Sequence, residues 1–219
     1  NTKGCYDVVI SADGLYVAAQ RGNIYLYHTG SSTPLWITSE SFSNGYDNVD
    51  ISADGSFIVA SHGSSNNPVY VYHRSSSEPI YSYTPYYYSQ TIDISDDGQY
   101  FVAMDVYDIR FFSISQEGGQ LLWTRSFGND WQSGDQVQVD VSADGSYVAV
   151  ANYNRGIRYY DREGNLLWDH DDDDGNFRRV SLSDDGRVVT AGRDCCSEDN
   201  IFTYTWSYAS SGLLLPLAP

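Results

Sequence analysis

Three groups of residues in this chain carry side chains able to do chemistry. The first is Asp169-His-Asp-Asp-Asp-Asp-Gly175, where Asp169, Asp171, Asp172, Asp173 and Asp174 crowd around His170. Oxygen donors at that density suit calcium. The run is out of register with an EF-hand loop, because His170 stands where an aspartate belongs and no glutamate closes it. A calcium site and a solvated acidic turn both remain open. The second group is aromatic: Tyr86, Tyr87 and Tyr88, with Tyr107, Trp131 and Tyr153, could stack on a sugar or dock a protein. Packing between neighbouring units is the other reading. The third is Cys5 with the adjacent pair Cys195 and Cys196. These are disulfide candidates if the first and last parts of the chain meet, and buried thiols otherwise; an adjacent Cys195–Cys196 bridge is a remoter option.

Catalytic chemistry finds little support. No Gly-x-Ser-x-Gly elbow, His-Glu-x-x-His or phosphate loop occurs. Of the histidines, His28 and His73 sit at equivalent places in a repeat. The paired acids are assigned to Asp-Gly turns, where backbone geometry accounts for them. No catalytic residue and no cofactor beyond calcium is expected.

The elements that would position these groups are set by a repeat. The stretch Val139-Asp-Val-Ser-Ala-Asp-Gly-Ser-Tyr-Val-Ala-Val-Ala151 has four relatives, with turn aspartates Asp13, Asp54, Asp97, Asp144 and Asp185. Their spacing of 41 to 47 residues is the period of a propeller-like array. Each unit reads as four strands: one that alternates, an Asp-Gly hairpin, an apolar second strand, an aromatic third strand such as Ile24-Tyr-Leu-Tyr27, and a fourth strand such as Pro34-Leu-Trp36. The expected fold is an all-β, five-bladed β-propeller with four antiparallel strands per blade. It forms one domain over residues 1–219, with blades near 6–45, 46–89, 90–135, 136–176 and 177–219. If the ring closes, a Cys5 bridge to Cys195 or Cys196 would staple it, which requires an oxidising compartment.

Composition narrows the partners. Twenty-nine acidic residues against twelve basic ones give a net charge of −17. That surface repels phosphate backbones, so nucleic acid is excluded as a partner. No apolar run is long enough to span a bilayer. The chain begins with Asn1, which reads as a processed or trimmed start.

The pattern Val-x-Ile-Ser-Ala-Asp-Gly-x-Tyr-Val-Ala, followed by Val-Tyr-Leu-Tyr and Pro-Leu-Trp, resembles the WD-like or quinoprotein-like propeller repeats of secreted archaeal and bacterial proteins, over residues 6 to about 215. It lacks the Gly-His and Trp-Asp pairs of true WD repeats, and it has fewer repeats than quinoprotein dehydrogenases. The resemblance implies fold and export, not an activity. The loops that differ between repeats fall on the face opposite the Asp-Gly turns, which is where binding is expected. The expectation is a non-catalytic extracellular or cell-surface propeller in contact with other proteins, including copies of itself as a surface layer or filament. A carbohydrate-binding module is the alternative, and a small hydrolase or redox enzyme a more distant one.

Overall fold

The computed structural model describes residues 5–39, 48–61, 68–87, 89–105, 107–126, 137–152, 156–170, 177–193, 201–208 and 214–217. These form five four-stranded antiparallel sheets, spanning 7–37, 48–83, 89–126, 137–170 and 177–217, here called blades 1 to 5. Every sheet has its strands in sequence order, so each blade is a simple meander. The first strands of successive blades pack against one another, which puts them innermost.

The meander follows from local chemistry. In Ser142-Ala-Asp-Gly145, Gly145 takes a φ of 67°, a conformation in which a Cβ is strained. The Asp144 carboxylate accepts the Ser146 N–H at 2.9 Å, and the Ser142 hydroxyl accepts the Tyr147 N–H at 2.9 Å. The turn thus satisfies its own donors before the second strand starts. Equivalent bonds recur at Asp13, Asp54, Asp97 and Asp185.

In blades 2, 3 and 4 the second strand is buried on both faces, and the two-residue period of its side chains sends them to two different seams. In blade 3, Phe101 and Ala103 face blade 2. Val102 and Met104 join Ile109, Phe111 and Trp123 in packing on Val137, Val139, Val141, Val148 and Val150 of blade 4. Fourth-strand tryptophans tie the seams further. The Trp36 indole N–H donates to the Arg74 carbonyl and that of Trp123 to the Arg162 carbonyl, each at 2.8 Å and each across to the following blade.

Among the described residues, four apolar cores fill the seams between blades 1 and 2, 2 and 3, 3 and 4, and 4 and 5. None of the four joins blade 5 to blade 1. The first-strand residues Val49, Ile51, Ile92, Ile94, Val139, Val141, Val180 and Leu182 are buried, whereas their blade 1 counterparts Val8 and Ile10 are 60% and 59% exposed. At the other end Ile201 is 75% exposed, while its counterparts Ile24, Val69, Ile109 and Ile157 are buried. The expected five sheets of four antiparallel strands are thus present. The structure does not show them as a closed five-bladed ring, since among the described residues no apolar core joins the last blade to the first.

Among the described residues no disulfide is present. Cys5 is a free, exposed thiol whose Sγ lies 3.4 Å from the Asp7 carbonyl and 3.5 Å from that of Gln20. Among the described residues no apolar core joins blades 5 and 1. Cys195 and Cys196 lie outside the described residues.

Candidate functional site

The innermost strands run Asp7–Ile10, Asn48–Ile51, Ser89–Ile94, Val137–Val141 and Phe177–Leu182. Two residues before the turn serine, they carry Val9, Asp50, Asp93, Asp140 and Ser181 in turn. Three carboxyl groups from three consecutive blades thus meet along the centre of the array. Each also reaches the next blade's backbone. Asp50 accepts the Ile94 N–H at 3.0 Å, Asp93 accepts the Val141 N–H at 2.6 Å, and Asp140 accepts the Leu182 N–H at 2.7 Å. In blade 1 the same service comes from Asp7, which accepts the Val49 N–H at 3.0 Å.

The three carboxyls separate two cavities. One, of about 270 Å³, opens toward the Asp-Gly turns beside Asp96 and Asp184. The other, of about 350 Å³, is lined on the opposite side by Asn48, Thr91, Gln138, Arg179 and Ser181. Asp93 lies in the middle. It touches the channel, yet protein surrounds it on every other side. That burial raises its carboxyl well above the ordinary range, and the charges of Asp50 and Asp140 raise it further. Burial also raises Asp50 and Asp140, while their hydrogen bonds to Asp93 pull the other way. Of the three, Asp93 is pushed furthest toward its neutral form, because three adjacent charges in a poorly hydrated channel repel one another strongly.

Perturbed acids in a cleft are a signature of acid–base sites. Here each carboxylate is already engaged by a backbone N–H of the neighbouring blade, so the arrangement chiefly seals the open edges of the inner strands. Sequence reasoning missed these residues by assigning the acids to the turns. The signal was there: a carboxylate at the same repeat position in three units, inside a strand whose alternation is otherwise apolar.

On the face away from the turns, part of the expected aromatic set comes together. Tyr86 and Tyr87 meet edge to face at 4.8 Å between ring centroids, and Tyr87 and Tyr107 at 4.5 Å. Tyr86 is 74% exposed. The Tyr107 loop is fixed from beneath by buried Asp105, which accepts the N–H groups of Tyr107 and Asp108, both at 2.9 Å. The Arg110 guanidinium bridges Asp105 at 2.6 Å and Asp108 at 2.7 Å, and it lies 5.5 Å from the Tyr83 ring centre. Desolvation raises the Tyr87 hydroxyl above its usual value, with the neighbouring tyrosines adding to the effect.

Tyr88, Trp131 and Tyr153, and the acidic residues Asp171, Asp172, Asp173 and Asp174, lie outside the described residues. Asp169 sits on the fourth strand of blade 4 opposite Arg158. His170 packs among Trp168, Phe177, Phe202 and Tyr204, with centroids 5.7–6.0 Å away. It belongs to the aromatic seam between blades 4 and 5. Among the described residues no group of three or more His, Cys, Asp or Glu is placed to hold a metal ion, and no helix is long and apolar enough to cross a membrane.

No protein-family model matches the chain, and no curated protein matches it. Solved structures do. The β-propeller domain of Cps50 (Swd1) from Myceliophteria thermophila superposes with a TM-score of 0.73 at 11% identity, covering 100% of this chain and 70% of that one. Hydrazine synthase from Kuenenia stuttgartiensis gives a TM-score of 0.66 at 14% identity over 98% of this chain. This chain spans 66% of the length of the hydrazine synthase chain. At these identities the likeness shows the fold alone, which is that of a β-propeller.

Proposed function

We propose that this chain is a non-catalytic extracellular propeller whose work is contact with other proteins, copies of itself among them, as in a surface layer or filament. The observation that carries this reading is the tyrosine cluster on the loop face. Tyr86, Tyr87 and Tyr107 form an edge-to-face row whose outermost ring stands mostly in water. The loop beneath is held by the Asp105–Arg110–Asp108 network. Rigid aromatic area presented from a fixed loop costs little entropy to immobilise, and it is the kind of surface on which contact energy concentrates.

The carbohydrate-binding reading rests on the same exposed ring, which could stack on a sugar face. One double variant, Tyr86→Ala with Tyr87→Ala, tests both. Wild type and variant are cross-linked to surface proteins of the source cells and applied to a glycan array, with the thermal midpoint as a folding control. The expected result is loss of the protein cross-links with an unchanged midpoint and no glycan signal for either form. Glycan binding that disappears in the variant would move the assignment to a sugar. Undiminished binding by the variant in both assays would sink the site.

A further inference from the structure

The tyrosines on the loop face form a set of corners rather than a stack. The Tyr86 and Tyr87 planes meet at 78°, and those of Tyr87 and Tyr107 at 76°. Adjoining rings turned nearly at right angles line a corner with ring faces, which carry the negative part of the aromatic quadrupole. A ring buried in a seam has its faces covered by neighbours. Here Tyr86 and Tyr87 keep 74% and 37% of their surface in water, so ring face stays open to a ligand.

The base of the cluster adds charge to the quadrupoles. Asp105 and Asp108 place two carboxylates there against the single guanidinium of Arg110, which leaves one negative charge in excess. The Asp108 side chain is 29% exposed, so it can be reached from solution. After desolvation and the neighbouring tyrosines, Asp105 and Asp108 also push the Tyr87 hydroxyl up, so their field is felt at that ring. The whole chain carries a net charge of −17. Open ring faces beside excess carboxylate favour a cation.

The molecule already uses this pairing within itself. The Arg74 guanidinium lies 4.5 Å from the centre of the Tyr16 ring while one of its N–H groups donates to the Asp54 carbonyl at 2.9 Å. Arg162 repeats the arrangement 4.7 Å from the Tyr100 ring, donating to the Asp144 carbonyl at 2.6 Å. In both, the cation lies over a ring and its N–H groups reach an oxygen. The loop-face cluster offers the same two halves without an arginine of its own over Tyr86 or Tyr87 among the described residues. We propose that this cluster receives an arginine side chain from a basic segment of another protein, the guanidinium lying against Tyr86 and Tyr87 with Asp108 as its counter-charge. The inference rests on the reading of the loop face as a protein contact, and it narrows the partner to a cationic one. Arginine suits the site better than lysine, because its planar cation stacks on rings and is more weakly hydrated. A second copy, itself at −17, is the poorer occupant of this surface.

The probe is a fluorescent, flexible glycine–serine peptide carrying two arginines, paired with a citrulline copy of the same shape and no charge. Each is titrated with the full chain and followed by anisotropy. Tyr86→Leu with Tyr87→Leu keeps much of the apolar area and all of the net charge while removing the ring faces. The arginine peptide should bind the wild type about tenfold more tightly than this variant, and the citrulline peptide should show no such difference. Asp108→Asn should weaken the arginine peptide by about twofold to fivefold. No binding, or equal affinity for wild type and leucine variant, overturns the proposal, since general attraction to an acidic surface gives the second result. So does a citrulline peptide that binds as well as the arginine one. Circular dichroism and the thermal midpoint check folding, and Tyr86→Leu alone replaces the pair if that misfolds. Surface-protein cross-links that vanish in the alanine variant, without any arginine preference, would leave protein contact standing and remove only the cation, so the two readings fail separately.

Discussion

Blades 2, 3 and 4 carry a channel aspartate four residues before the turn aspartate that all five repeats share, and the two sets behave in opposite ways. The turn carboxylates sit at the surface among donors. Asp13 is held below the ordinary range first by the Ser11 hydroxyl and then by the Leu15 N–H, and Asp185 first by the Arg187 N–H. The channel carboxyls sit among one another, and burial raises all three. Both sets bond to backbone N–H groups, so the bond alone does not decide the charge state. What decides it is whether water and donors outnumber the neighbouring acids. The turn set shapes a hairpin within one blade. The channel set is pushed toward its neutral form and bonds between blades.

The largest effect should come from the turn, at the point where it serves the seam. Gly145→Ala places a Cβ at positive φ, costing about 1–2 kcal/mol. It also drives that atom into the Tyr100 ring, an overpacking cost of about 1–3 kcal/mol more. Gly14→Ala has the same backbone strain and no neighbour, so urea unfolding of the pair should separate the seam contribution from the turn contribution. Equal losses would mean that the turn carries nothing across blades.

The next effect in size should come from the channel and have the opposite sign. Asp93→Asn keeps an acceptor for the Val141 N–H and donors for Asp50 and Asp140 without a titrating proton. Because the Asp93 carboxyl is raised, the folded state holds more protons than the unfolded one between about pH 4 and the raised value, and wild-type stability falls as pH rises through that window. The variant should be more stable at neutral pH by on the order of 1 kcal/mol, with a flatter pH profile. A variant that is less stable at pH 7 would show that the carboxyl is ionised and needed as such.

The smallest effect should come from Asp144→Ala, which removes the acceptor for the Ser146 N–H. Burial pushes this carboxyl up, but its bonds to Ser146 and Ser142 and the nearby Arg162 bring it below the ordinary value. Its stabilisation is therefore present above the unfolded value and lost as pH falls through the folded one. The variant should lose about 0.5–1 kcal/mol at pH 7 and match the wild type near pH 2. A persistent difference in acid would break the contrast with Asp93.

What could be read from the sequence was what the chain decides locally. The Asp-Gly turns need only a glycine at positive φ and a carboxylate two residues before the N–H it accepts, and they stand where the spacing placed them. The near-continuous apolar run in strands such as Tyr100–Asp105 marked them as buried on both faces. The aromatic cluster was legible in part, because Tyr86 and Tyr87 adjoin in sequence while Tyr107 reaches them only through the fold. The rest depends on distant partners. Asp93 looks like any strand aspartate until Asp50 and Asp140 arrive from blades more than forty residues away. Whether Val8 and Ile10 are core or surface depends on a sheet that no local pattern specifies.

The four separate cores also set how the molecule comes apart. Each blade is coupled only to the blades beside it, so the array behaves as a one-dimensional chain of coupled units rather than a single block. Among the described residues, blades 2, 3 and 4 are clamped from both sides, and blades 1 and 5 from one. Opening therefore propagates inward from the two terminal sheets, with blade 3 the last to expose its amides. A contact that covers either terminal face would slow that opening at its source.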